Sequence, residues 1–200
     1  MRHAFKMFNK DLTCTYGRGR YQYAEDVWFE EPEANCVRNG FHCAENPLDC
    51  LSYYPDWDKS VCYMVEIDGD IDEDSTDSKI SCTRIRLIKK LDAARFVSHA
   101  CWYMLQHPEM PDNHLVQHEQ GMAKKYPFVI VRGKEPIACG NIGDVIGIIR
   151  EKPDSREAET AGVYLIDGKK YLPTVFYDVC GKEVRGWARL GGAKCEERNA

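Results

Sequence analysis

The chain has 200 residues, 44% hydrophobic and 30% charged, with 27 Lys and Arg against 32 Asp and Glu for a net charge of −5. That balance supports a real core and excludes broad nucleic-acid or anionic-membrane binding, which takes a basic face. No apolar run approaches the ~20 residues of a membrane helix, and the opening MRHAFKMFNKDL lacks the apolar stretch of a secretory signal, so a cytoplasmic protein is expected.

In chain order, AFKMF (residues 4–8) alternates as a short strand. YGRGRYQY follows, where Gly17 and Gly19 predict a turn into a second strand, and Tyr21, Tyr23 and Trp28 give this section an aromatic face. EEPEANC reads as a polar connection. GFHC reads as a strand, with Gly40 required by close approach or an unusual dihedral angle. Asn46 and Pro47 then start a helix: Asn accepts at the N-cap and Pro suits the first helical position. Leu48, Leu51 and Tyr54 form its inner stripe, and Pro55 ends it.

SVCYMVEIDGDI predicts a strand with Val61, Tyr63, Val65 and Ile67 on one face. The acidic turn DGDIDEDSTDS interrupts it, and KISCTRIRLIKKL resumes with Ile80, Cys82, Ile85 and Leu87. The spacing of Phe96, Val97, Ala100, Tyr103 and Met104 predicts a helix over 92–106, with Pro108 just beyond. Residues 108–126 are polar and read as a linker. From there FVIVRG, PIACG, DVIGIIRE, GVYLIDG, KYLPTVFY and EVRGWARL are short β-prone runs, read as antiparallel. Residues 191–200 are expected to be a disordered tail.

Ten cysteines include no CxxC pair. Cys36, Cys43 and Cys50 lie seven apart, whereas zinc ligands more naturally come in pairs two to four apart, so free thiols and no metal site are expected. His42, on a strand before a helix start, either faces a pocket or is a satisfied core histidine. Tyr53 and Tyr54 at the far end of that helix either stack on a flat ligand or pack half-buried. Asp68, Asp70, Asp72 and Asp74 mimic the start of a calcium-binding loop, but Glu73 stands where Gly is needed and Lys79 where the bidentate Glu belongs. Asp68, Asp70, Asp72, Glu73, Asp74 and Asp77 instead form a candidate acidic surface for a basic partner groove. His114 and His118 are four apart without the HExxH pattern. GRGRYQY resembles a phosphate loop only in its first half, with Arg18 and Arg20 as possible anion contacts.

Several segments together resemble an uncharacterised domain family common in phage and prophage proteins: AFKMFNKDLTC, RYQY, NGFHCAENPLDCLSYY, VEIDGDI, DSKI, GDVIGIIRE and VYLIDGKKYLPTVFYDVCGKEV. They come in the family's order and cover most of the chain. Residues 99–140 depart from the long Ala/Ser/Gly-rich repeat of many members. The resemblance implies a phage or prophage gene acting inside a bacterial cell. GFHCAENPLDCLSYY is also similar to the NAD-facing core of ADP-ribosyltransferases. That likeness implies His42 on the NAD ribose and Tyr53 or Tyr54 near the nicotinamide. It also implies a late glutamate, for which Glu135 and Glu151 flank plausible strands.

The expectation from sequence is an α+β fold. Residues 1–107 form a mixed sheet with two helices, 108–126 a linker and 127–190 a small antiparallel β-rich portion. The leading functional expectation is a phage-type protein without a cofactor. It binds and modulates a host protein through the acidic residues, for example inhibiting a CRISPR-type defence nuclease. The alternatives are an NAD-using ADP-ribosyltransferase-like enzyme built on His42, Tyr53 and Tyr54, and a phage accessory or structural protein.

Overall fold

Strand β1 (Arg2–Asn9) alternates so that Ala4, Lys6 and Phe8 share one face, with Ala4 and Phe8 in the core. It opens a computed structural model that describes residues 1–15, 19–36, 38–74 and 77–185. The chain divides into two compact units, Met1–Asp92 and Ala93–Ala200. Strands hold 47% of the described residues and helical turns 13%, so the fold is mostly β, and the α+β expectation is overturned.

In the first unit a short hairpin, β2 (Thr13–Cys14) with β3 (Tyr21–Gln22), precedes β4 (Trp28–Glu30) and β5 (Phe41–Ala44). Two long strands follow, β6 (Ser60–Glu73) and β7 (Lys79–Leu91). β1 pairs along its length with β6, β6 with β7, β7 with β5, and β5 returns to β1 at Phe5 opposite Ala44. The sheet therefore closes on itself, and every pairing between these strands is antiparallel. β4 adds to β7 at Arg84–Arg86 opposite Trp28–Glu30. Phe8, Tyr23, Phe41, Cys43, Tyr63, Val65, Ile67, Ile80, Cys82, Ile85 and Leu87 fill the interior.

The helix expected after Asn46 is a six-residue 3₁₀ helix, Pro47–Ser52. The cap itself forms: Asn46 Oδ1 accepts the Leu48 N–H at 3.1 Å. With Pro at its start and Pro55 soon after, the segment is too short for two α turns and takes the tighter form. Trp57–Lys59 is a second 3₁₀ turn. The acidic stretch also differs from a simple loop, because β6 continues as strand through Glu73. Gly69, at φ +77°, lets β6 bulge between Asp68 and Ile71, where a Cβ would lie 2.1 Å from Thr83 Oγ1.

The single α-helix among the described residues, α1 (Ala93–Gln106), belongs to the second unit rather than closing the first. It covers one face of a four-stranded sheet of β8 (Val116–Met122), β9 (Phe128–Cys139), β10 (Val145–Glu151) and β11 (Ala158–Leu165), in the order β11-β10-β9-β8. Val116–Met122, expected in a linker, are thus a strand. Only β10–β11 is antiparallel; β8–β9 and β9–β10 are parallel. The expected strands FVIVRG and PIACG are one strand, β9, with a register jump: His118 faces Arg132 but Gln120 faces Ile137. Residues 134–144 give the crossover that parallel pairing with β10 requires. KYLPTVFY forms no strand and touches the sheet by a bridge from Tyr177 to Ala138. The expected EVRGWARL strand from residue 186 onward and the tail 191–200 lie outside the described residues. No helix among the described residues is long and apolar enough to cross a membrane.

Candidate functional site

In the first unit β1, the β2–β3 hairpin, β5 and the 3₁₀ helix line an open cavity of about 490 Å³. His42, Tyr53 and Tyr54, singled out from sequence, all line it. β5 holds the segment Gly40–Ala44 against β7, with Phe41 opposite Cys82, His42 opposite Ser81 and Cys43 opposite Ile80. Gly40 enters this strand at φ +83°. A Cβ there would sit 2.5 Å from Ser81 Oγ and 3.0 Å from the Cys82 carbonyl oxygen, so the close approach read from sequence is real. Tyr54 is buried and its hydroxyl donates to Cys14 Sγ at 3.2 Å. Tyr53 is more exposed, with the Lys79 ammonium 5.3 Å from its ring centre.

Lys6 is the residue that sequence reading missed. Its side chain is 6% exposed and lines the cavity. The ammonium donates to the His42 carbonyl at 2.5 Å and lies 5.6 Å from the ring centres of Phe8 and Tyr23. It makes no ion pair among the described residues. The alternation in AFKMF marks the strand, but apolar residues on both sides of Lys6 hide which face it takes. Burial, then the charges of Lys6 and Lys79, hold the His42 pKa below the ordinary histidine value. Half-buried beside two cations, the ring is neutral at physiological pH.

The aromatic face expected from Tyr21, Tyr23 and Trp28 divides. Tyr23 packs against Phe8, Phe29 and Phe41 at 4.9, 5.1 and 6.0 Å, and Tyr21 against Tyr23 at 4.8 Å. The guanidiniums of Arg84 and Arg86 lie over the Trp28 ring, at 4.7 and 5.1 Å. Arg20 lines the cavity but pairs with Asp11, and Arg18 lies outside the described residues. Arg38 and Glu31 line it without an ion pair among the described residues. Burial, then the Glu31 charge, raise the pKa of Tyr21.

The acidic set is largely engaged within the domain. Asp68 pairs with Arg84 at 3.1 Å, Glu73 with Arg2, and both Asp74 and Asp77 with Lys79 at 3.2 and 3.7 Å. Asp72 Oδ2 accepts the Cys36 N–H at 2.6 Å, and Asp70 stays exposed. The evenly spaced cysteines part company: Cys36 lies beside Asp72, Cys43 in the interior, and Cys50 Sγ donates to the Phe5 carbonyl. Among the described residues no group of three or more His, Cys, Asp and Glu is placed to share a metal ion. His118 is on β8, 3.8 Å from Asp112, and His114 is in the preceding turn. The late glutamates fall in the second unit. Glu151 is buried against Arg132 at 2.8 Å and Glu135 is exposed, and neither lines the cavity.

Residues 2–99 match the family model of a domain of unknown function, DUF7666, which spans the first unit and its cavity. No curated protein and no solved structure matches the chain.

Proposed function

We propose that the N-terminal unit is a small-molecule-binding domain whose ligand is an anion carrying a flat ring. The observation that carries this reading is the buried Lys6 ammonium on the cavity wall. An ammonium has three protons to donate, and one is taken by the His42 carbonyl. Withdrawing such a charge from water costs several kcal/mol unless an opposite charge answers it. An anion entering the cavity supplies that charge. Tyr21, Phe41 and Tyr53 in the lining suit a flat ring, and the volume of about 490 Å³ lies within the ~300–1,000 Å³ of small-molecule sites.

Nucleotides belong to this ligand class. An ADP-ribosyltransferase-like activity would use the same cavity, with NAD as ligand, His42, Tyr53 and Tyr54 in the wall and Glu31 as the lining glutamate. A phage-type role in capturing a host defence protein through residues 68–77 draws less support, since most of those carboxylates already answer cations or an N–H of the same domain.

A thermal-shift screen of the full chain tests the reading. Ring compounds matched in size but anionic, neutral or cationic are compared, with adenosine monophosphate, NAD and a naphthoate among the anions. Stabilisation by anions, absent with neutral and cationic analogues, is expected. Stabilisation by cationic rings alone, or by none of the compounds, contradicts it.

A further inference from the structure

We infer that the cavity takes a singly charged carboxylate on an aromatic ring, received jointly by the Lys6 ammonium and the Tyr23 hydroxyl, rather than a phosphate ester; this narrowing rests on the ligand class proposed above. Tyr23 belongs to the lining and is 5% exposed, and its hydroxyl makes no hydrogen bond among the described residues. Among those residues the buried side-chain nitrogen or oxygen that is both closed off from solvent and without a partner is Asn141 Nδ2. The Tyr23 oxygen is therefore accessible, and the space that Tyr23 lines is the cavity. A largely buried hydroxyl with no partner loses hydrogen-bond energy that a ligand oxygen restores. Tyr54, the other buried tyrosine of the lining, already donates to Cys14 Sγ. The Lys6 ammonium stands 5.6 Å from the Tyr23 ring centre, which brings both donors to the same part of the cavity.

Charge selects the head group. A carboxylate brings one negative charge, whereas a phosphate ester brings about 1.5 to 2 at neutral pH. Lys6 is the buried cation of the lining without an ion pair among the described residues. Arg20 is committed to Asp11, and Lys79 to Asp74 and Asp77 at 3.2 and 3.7 Å. Arg38 is exposed, and the carboxylates of Glu31 and Asp49 also belong to the lining. A carboxylate at Lys6 is thus neutralised, whereas a phosphate keeps up to one charge unanswered beside the Phe8 and Tyr23 rings.

The backbone supplies no substitute. Phosphates are commonly held by the free N–H groups of a helix start. At the 3₁₀ helix Pro47 has no N–H, the Leu48 N–H is taken by Asn46 Oδ1 at 3.1 Å, and the Asp49 N–H by the Asn46 carbonyl at 3.1 Å. Aromatic monocarboxylates therefore rank above nucleotides as ligands of this cavity.

Calorimetric titration of the full chain at pH 7.5 tests this with paired probes on two rings: benzoate against phenyl phosphate, and 2-naphthoate against 2-naphthyl phosphate. Wild type is expected to bind the better carboxylate at least about tenfold more tightly than its phosphate partner. Tyr23→Phe keeps the ring and loses only the hydroxyl. It is expected to keep a urea midpoint near that of wild type and to bind the carboxylate about tenfold more weakly. The comparison of probes in wild type decides the matter even where Tyr23→Phe does not fold. Phosphate binding as tight as carboxylate binding, or a folded Tyr23→Phe with wild-type carboxylate affinity, overturns the inference and leaves the ligand reading standing. A chain stabilised by nucleotides that binds neither carboxylate does the same. Binding of no anion, here or in the thermal-shift screen, overturns both.

Discussion

Lys6 carries the account at the scale of single residues. A buried ammonium that pairs with no carboxylate among the described residues is a stability liability, and replacing buried charge with an apolar side chain of similar volume is neutral or stabilising by ~1–4 kcal/mol in other proteins. Lys6→Met is therefore expected to unfold in urea no more readily than wild type; a large loss of stability would mean that the charge is structural. His42 makes a pH-dependent contribution with a defined sign. Its folded pKa lies below the ordinary value because of burial and the charges of Lys6 and Lys79. The unfolded chain therefore takes up the proton first as pH falls. Stability is full above the ordinary histidine pKa of about 6.5 and is lost as pH drops from there through the depressed folded value. Urea titrations at pH 7.5 and 5.5 should show this loss in wild type and a smaller one in His42→Gln. Gly40→Ala forces an L side chain into φ +83° against Ser81 and Cys82, at an expected cost of about 1–3 kcal/mol, readable as a lower urea midpoint.

At the scale of elements, the sequence is legible where periodicity and capping act locally. The alternations of β1, β6 and β7, the stripe of α1 and the Asn46 cap are all present. Partner choice is not local, and there the reading fails. The run VIGII in β10 is apolar at every position because the sheet is covered on both sides: Ile146 and Ile148 enter the core cluster, while Gly147 lies against Val97 and Cys101 of α1. Such a run belongs to a buried, partly parallel sheet, yet short β-prone runs alone do not say whether neighbours are parallel. The candidate site was legible in part. Gly40 and the Asn-Pro start flag a constrained segment around His42, whereas Lys6 reads as an ordinary strand residue. In the second unit the buried guanidinium of Arg132 is held by Glu151 at 2.8 Å and Asp112 at 2.9 Å. Arg132→Met takes the closest cation from buried Glu151, leaving it Lys134 at 3.7 Å, and leaves Asp112 to Arg156 at 2.6 Å; it is expected to cost ~3 kcal/mol. Arg150→Met, at the exposed pair with Glu159, should cost under ~1 kcal/mol. Chemical denaturation of the two variants separates these outcomes.

At the scale of the whole molecule, each unit carries its own interior, and the cavity is built entirely from residues of Met1–Asp92. A fragment of residues 1–92 is accordingly expected to give a dispersed amide spectrum and to keep the ligand affinity of the full chain. The most direct test of the central claim is calorimetric titration of the full chain with the best anionic ring compound of the screen, in wild type, Lys6→Met and the exposed-lysine control Lys59→Met. The account predicts saturable binding to wild type and Lys59→Met, and a loss of at least about tenfold, 1.4 kcal/mol, in a folded Lys6→Met protein. Equal affinity in all three proteins would contradict it.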